Sequence, residues 1–330
     1  MSADFLEQIG LERPDGPIYH YTTVEAAEKI LRSGRLRASL SSDLNDLGEV
    51  TFGWERVRAW LETRTDLDGS AVYNAMREAA EDAALDSEEG DEYFRKTWHI
   101  VSASTEPDSA AQWLAYGAGG AGVALGIDPD AALVPVSSDA SCIRAWSHPR
   151  DPIWSCRSSA STSPWLKVVY DSLAQEHLVQ KFHDLHAELR AAQDPPDDEE
   201  GWIEQGQMLR AEIRSDLWAL VSFFKHASFA FECEARLVVN TAAHAFFKYE
   251  VRSHTFRRYV ELMTPVQTSG PHGSVAHDQS EPLVAPLPIT KVTLGSRHRG
   301  RTIAAAAVKH FAAESELRDL EVRLSTSPLR

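Results

Sequence analysis

Cysteine is scarce in this chain: Cys142, Cys156 and Cys233 are the three among 330 residues. They fall at no spacing that suits a metal, and an odd, sparse set fits a reducing compartment, so a cytoplasmic location is expected. Positive charge is also short, with 33 Lys and Arg against 49 Asp and Glu, a formal net charge of −16. Such a surplus disfavours sequence-independent binding to nucleic acid, which needs a broad basic surface. No apolar run approaches the length that spans a bilayer. The first residues, Met1 to Glu7, lack the basic region and apolar core of a signal peptide. No membrane partner is therefore expected. Walker loops, Ser-centred nucleophile elbows, zinc-type cysteine clusters and internal repeats are all missing.

What is present suits a large folded core, with 43% hydrophobic and 25% charged residues. Ile18 to Tyr21 reads as a strand, with Thr22 capping a helix, Glu25 completing a capping box and Gly34 as its stop. Leu36 to Leu40 reads as a strand, followed by helices over about 48–63 and 71–84. Ile100–Ser104 and Val123–Ile127 read as strands around a helix capped by Ser109, and Leu166–Tyr170 as another. Helices at about 172–191 and 203–226 flank an acidic loop. Strands at 231–239, 245–251, 258–263 and 289–294, a helix at 301–314 and a strand near 319–324 complete the pattern. Strands and helices mix without regular βαβ alternation. The expected class is α+β, a mixed, mainly antiparallel split sheet with helical insertions about 48–98 and 172–226. One domain over 1–330 is expected, with flexible loops about 192–201 and 265–282.

The stretch Phe231-Glu232-Cys233-Glu234-Ala235-Arg236-Leu237-Val238-Val239 is the most informative. Its alternation predicts a strand with Glu232, Glu234 and Arg236 on one face. Two carboxylates held that close repel, and one pKa rises unless Arg236 or a cation compensates. Such a face suits stabilisation of positive charge or movement of a proton; a solvated strand face neutralised by Arg236 explains the pattern equally well. His20 ends a strand before a capped helix, where ligands commonly meet free backbone N–H groups, although a structural histidine explains it as well. Ser39, Ser41, Asn45 and Asp46 form a polar turn able to line a cleft or simply to cap. Gly117, Gly119 and Gly122 spell the dinucleotide fingerprint, but with a helix before and a strand after, the reverse of what that site needs. A tight turn is expected instead. His183 and His186 lie three apart on a helix, and surface histidines are expected rather than a metal site. Trp113 and Tyr116 read as core. The basic spots Arg32/Arg35/Arg37, Arg252/Arg257/Arg258 and Arg297/His298/Arg299/Arg301 read as solvated surface.

Several segments together resemble the bacterial family known as domain of unknown function 2971. They are Tyr19-His20-Tyr21-Thr22; Leu36-Arg37-Ala38-Ser39 through Leu44-Asn45-Asp46 to Glu49; Val101 to Ser104 through Gln112-Trp113 and Tyr116 to Gly122-Val123; Lys225-His226 through Glu232 to Arg236; and Ile289 to Gly295. Cys233 and Ala235 stand where that family more often has a charged and an aromatic residue, and Ala103 where it commonly has cysteine. The arrangement also resembles ADP-ribosyltransferases, whose early strand gives His or Arg to the NAD ribose, a middle strand Ser or Tyr, and a late strand a glutamate. That resemblance implies an ADP-ribosyltransferase-like fold and NAD as substrate, without a metal. It implies Glu234 as catalytic carboxylate, Glu232 as its partner, and His20, Tyr21, Thr22, Ser39, Ser41, Asn45 and Arg236 as cofactor-binding residues. The implied activity is ADP-ribosyl transfer or NAD glycohydrolysis, in which a carboxylate stabilises the cationic ribose. A small-molecule nucleotide and a protein or nucleic-acid acceptor would be its partners. The alternative from a different class is a non-catalytic ligand- or partner-binding protein of a bacterial defence or toxin–antitoxin system.

Overall fold

The computed structural model describes residues 3–43, 48–84, 97–136, 160–196, 198–242, 244–252, 255–264, 287–314 and 320–329. Asn45, Cys142, Cys156 and the expected loop at 265–282 lie outside these described residues. The helices are α1 (Ala3–Gln8), α2 (Val24–Ser33), α3 (Gly48–Thr63), α4 (Ala71–Ala84), α5 (Ala110–Ala115), α6 (Ser172–Ala191), α7 (Glu199–Val221) and α8 (Arg301–Glu314). The strands are β1 (Ile18–Thr22), β2 (Leu36–Leu40), β3 (Trp98–Ser104), β4 (Val123–Ile127), β5 (Val134–Pro135), β6 (Ala160–Thr162), β7 (Leu166–Lys167), β8 (Glu234–Thr241), β9 (Phe247–Arg252), β10 (Thr255–Met263), β11 (Ile289–Leu294) and β12 (Glu321–Leu324). Two compact units share them: Met1–Arg13, Ser41–Trp98 and Leu166–Phe231 form one, and Pro14–Leu40, His99–Trp165 and Glu232–Arg330 the other.

The first unit is helical and gathers most of the expected insertions. Helix α4 packs on α3 and α7, and α3 on α6. Trp54 meets Trp218 edge-on at 5.5 Å, and Phe5 meets Phe182 the same way at 5.5 Å. Gly53 lets the backbones close: a Cβ there would lie 2.6 Å from the Val221 carbonyl oxygen. Helix α7 starts four residues before the expected 203 because Asp198 accepts a hydrogen bond from Gly201 N at 2.8 Å and caps it. It ends at Val221, ahead of the parallel bridge Val169↔Phe224.

The second unit is built on a mixed, mainly antiparallel sheet with helices, as the pattern of elements implied. The strand order is β12-β11-β4-β1-β3-β2-β10-β5, with β8 also pairing β3 and β6, and β9 pairing β10. Only β11 and β12 run parallel among the pairs with described register. Strand β1 lies along β4 from Ile18↔Ile127 to Thr22↔Val123, but meets β3 at Tyr19↔Ser104. The main core gathers Ile18, Ala38, Val101, Ala103, Leu125, Ala235, Leu237 and Val239 on one side of these strands. Tyr19, Tyr21, Trp113 and Ala124 form a smaller cluster. Strand residues alternate between faces, so Tyr19 and Tyr21 fall on the side of β1 opposite Ile18.

Local chemistry explains the junction after β1. Thr22 is the last strand residue, and Thr23 caps α2, its Oγ1 accepting from Ala26 N at 3.2 Å. The cap thus falls one residue beyond the expected Thr22. Gly34 stops the helix with φ +62°, its N–H bonded to Ile30 O at 3.0 Å. The Gly117–Gly122 segment is a tight turn rather than a nucleotide cradle. A Cβ at Gly122 would sit 2.3 Å from Thr22 O, and the Gly122 carbonyl accepts from Gly295 N at 3.0 Å.

Candidate functional site

The segment before β8 departs from the expected strand. A 3₁₀ turn covers Ala227–Glu232, Cys233 takes a left-handed φ of +45°, and the strand begins at Glu234. A non-glycine residue seldom adopts that conformation, so its surroundings must hold it. The Glu232 carbonyl accepts from Ser104 Oγ at 2.7 Å and Gln112 Nε2 at 2.9 Å. The Cys233 carbonyl accepts from Thr105 N at 2.8 Å and Thr105 Oγ1 at 3.2 Å. Four groups from one loop therefore claim the two carbonyls that a continuous strand would have offered elsewhere. Glu232 is buried but stands outside the strand, so the expected three-residue charged face shrinks to Glu234 and Arg236.

Those two residues form a buried ion pair. Arg236 Nε donates to Glu234 Oε1 at 2.7 Å and Nη2 to Oε2 at 3.0 Å, with side chains 2% and 6% exposed. A bidentate fork of this kind matches carboxylate to guanidinium and fixes both in place. The solvated-face explanation is thereby corrected: the charges are internal. Because Ala235, Leu237 and Val239 face the main core, Glu234 and Arg236 point to the other side of β8.

His20 lies between Ile18 and Thr22 on β1 and so turns toward the core side, away from the side that Glu234 takes on β8. Its Nδ1 is 3.0 Å from the Ser102 carbonyl, which can only accept, so Nδ1 carries the proton. Burial holds its pKa below the ordinary histidine value, against the opposing effect of the Ser102 bond. Ser102 lies two residues from the ladder contact Tyr19↔Ser104, where β1 and β3 part, and the His20 ring satisfies its carbonyl. Thr22 shares the His20 side. Tyr21 takes the opposite one, where its Oη donates to Glu106 O at 2.7 Å and accepts from Ser109 N at 3.0 Å. Burial raises the Tyr21 phenol pKa well above its usual value. Ser39 lies between core residues Ala38 and Leu40 on β2 and faces away from Ala38's side, paired with Tyr259 and Ile100. Ser41 belongs to the helical unit, where it is buried in a 3₁₀ turn.

The structure thus joins Tyr21 to the 232–233 backbone through the loop 104–112, and Glu234 to Arg236. It does not place His20 on the side that Glu234 faces. Burial, and then the Glu106 charge, raise the Cys233 thiol pKa above the ordinary cysteine value, the direction opposite to that which activates a cysteine.

Asp108 is a residue that sequence reasoning passed over. Its carboxylate accepts from Trp113 Nε1 at 2.7 Å, Ser325 Oγ at 2.5 Å, Thr326 N at 2.7 Å and Thr326 Oγ1 at 3.1 Å. One side chain therefore ties the loop, α5 and the segment after β12. Its place directly before the Ser109 cap and five residues before a tryptophan was the available signal. Burial works against ionisation, but the hydrogen bonds from Ser325, Trp113 and Thr326 outweigh it and hold the pKa below 3.8. A carboxyl with a depressed folded pKa adds stability above its unfolded pKa and loses it as pH falls through the folded one. Wild type should accordingly be more stable than Asp108→Asn near neutrality, and the gap should close on acidification below about pH 4. Denaturation midpoints of both proteins across that range check this; a pH-independent gap would contradict it.

His183 and His186 are buried rather than on the surface. Cavities among the described residues include one of about 270 Å³ beside Asp15, Asp128, Asp130 and Thr290, and one of about 300 Å³ beside His186, Arg190, Leu209 and Glu212. Neither is lined by His20, Glu232 or Glu234. No protein-family model, curated protein or solved structure matches the chain.

Proposed function

We propose that this chain is a non-catalytic ligand- or partner-binding protein, in which the charged residues of β8 brace the fold. One observation carries this reading: both Glu234 oxygens are taken by Arg236 in a buried fork. A carboxylate already neutralised at both oxygens has little field left for a developing ribosyl cation. The opposite orientation of His20 on its strand supports the same view, since a cofactor clamp needs the two side chains on one cleft. With a formal net charge of −16, long-range attraction favours a partner with a basic face.

A second reading keeps NAD as substrate and Glu234 as the catalytic carboxylate. It is favoured by the loop 104–112, which bonds Tyr21 on one side and the carbonyls of Glu232 and Cys233 on the other. Incubation of the full chain with NAD, following nicotinamide release, separates the two. The binding reading expects no release above buffer. Release that Glu234→Gln abolishes while the fold persists would overturn it in favour of NAD cleavage.

A further inference from the structure

The helical unit carries a second cluster of chemistry, formed by His186 of α6 with Glu212 and Asp216 of α7. One ligand atom from each lies within 4.8 Å of the others, and His186 and Asp216 are buried while Glu212 is exposed. Glu212 and Asp216 are four apart on one helix, which places both carboxylates on one face toward α6. His186 Nε2 stands 3.5 Å from Asp216 Oδ2, too far for a good hydrogen bond. Neither His186 Nε2 nor Asp216 Oδ1 has a hydrogen-bond partner among the described residues, although both atoms are fully buried. Orphaned buried polar atoms are costly and call for an explanation.

We infer that these three residues bind a divalent transition-metal ion between α6 and α7. Metal–ligand bonds of about 2.0–2.1 Å in a tetrahedron put neighbouring ligand atoms roughly 3.4 Å apart. The separation of His186 Nε2 from Asp216 Oδ2 already matches that edge. Glu212, exposed on a flexible stem, closes the remaining gap by a rotamer change. The His186 ring is held for the task between Phe5, at 4.9 Å, and Phe182, at 4.6 Å. A neutral imidazole with two carboxylates offers a doubly negative, mixed nitrogen–oxygen set, which suits zinc or its first-row neighbours better than calcium or magnesium. Three protein ligands leave a fourth position for water. An entry path exists, since His186 and Glu212 line the cavity of about 300 Å³. Arg190, which also lines it, donates to Gln193 Oε1 at 3.0 Å and lies over the Trp202 ring. In this role the ion staples two helices whose facing polar groups otherwise lack partners.

The test uses the full chain freed of metal by a chelator and then titrated with Zn²⁺ and, separately, Co²⁺. One equivalent of each should bind, with a Co²⁺ visible spectrum of a low-coordinate nitrogen–oxygen site and a raised melting temperature in Zn²⁺. Glu212→Gln alters an exposed side chain and leaves folding intact, yet should weaken Zn²⁺ binding at least about tenfold. Asp216→Asn, close to isosteric, should weaken it further. Absence of a saturable one-equivalent site in the wild type would overturn the inference. So would Zn²⁺ affinity unchanged in both variants, which would assign the binding to other histidines.

Discussion

Glu234→Gln should lower the unfolding free energy by about 3–5 kcal/mol, the cost expected when one partner of a buried ion pair is removed. Both side chains are nearly sealed from water, and two nitrogens of Arg236 rest on the two Glu234 oxygens. Gln keeps the shape but brings an amide nitrogen against one guanidinium nitrogen, so a favourable contact becomes a repulsive one. The surviving charge remains in a medium that solvates it poorly. A paired control separates charge from packing. Replacing both residues together, Glu234→Met with Arg236→Leu, should recover a large part of the loss, because apolar groups of similar volume need no counter-charge. Chemical denaturation of wild type, the single variant and the double variant checks this. A single variant within about 0.5 kcal/mol of wild type would mean that the pair is not buried as described. The same series bears on function: an enzyme that used Glu234 would lose turnover in a variant that still folded, whereas a brace loses stability first.

Much of the architecture was legible because its signals are local. Gly34 after the Ala27/Ile30 stripe, Ser109 before Ala110–Ala115 and the apolar run Val123–Ile127 each specify an element from a few neighbouring residues. Strands β2, β4 and β11 and helices α3, α4 and α8 fall where the pattern put them. The start of β8 was not legible. Phe231 fits an alternating strand on paper, yet it is exposed, and the backbone after it is claimed by Ser104, Thr105 and Gln112, more than 100 residues away in sequence. No local rule can anticipate hydrogen bonds made across the fold. The same holds for His186, which looks like one of several helical histidines until Glu212 and Asp216 are brought to it from α7. His20 illustrates a different limit. Its residue type and its position at a strand end suggest a ligand contact, but the face it takes follows from which neighbours form the core, and Ile18 belongs to the main one.

Trp113→Ala should cost about 3–5 kcal/mol, the range for removing a large aromatic side chain from a core. Trp113 is fully buried, and its ring meets Tyr21 edge-on at 4.8 Å. Gly117 lies close beneath it, since a Cβ at that glycine would come within 2.4 Å of the ring. Tyr21 is held by Glu106 and Ser109 and the glycine turn is pinned by its own backbone bonds, so neither can readily move into the space. Trp113→Phe divides the effect into its parts. It keeps an aromatic face toward Tyr21 but removes the Nε1 hydrogen bond to Asp108, whose other bonds to Ser325 and Thr326 persist. A loss of about 1 kcal/mol is expected from that bond, together with a smaller packing cost from the lost second ring. Equal destabilisation by Ala and Phe would show that the Asp108 bond, not the ring, does the holding. Hydrogen exchange gives the structural readout. Gln112 lies one residue before Trp113 and bonds the Glu232 carbonyl, so the Ala variant should loosen amides in the loop 104–112 and, through it, the left-handed turn at Cys233.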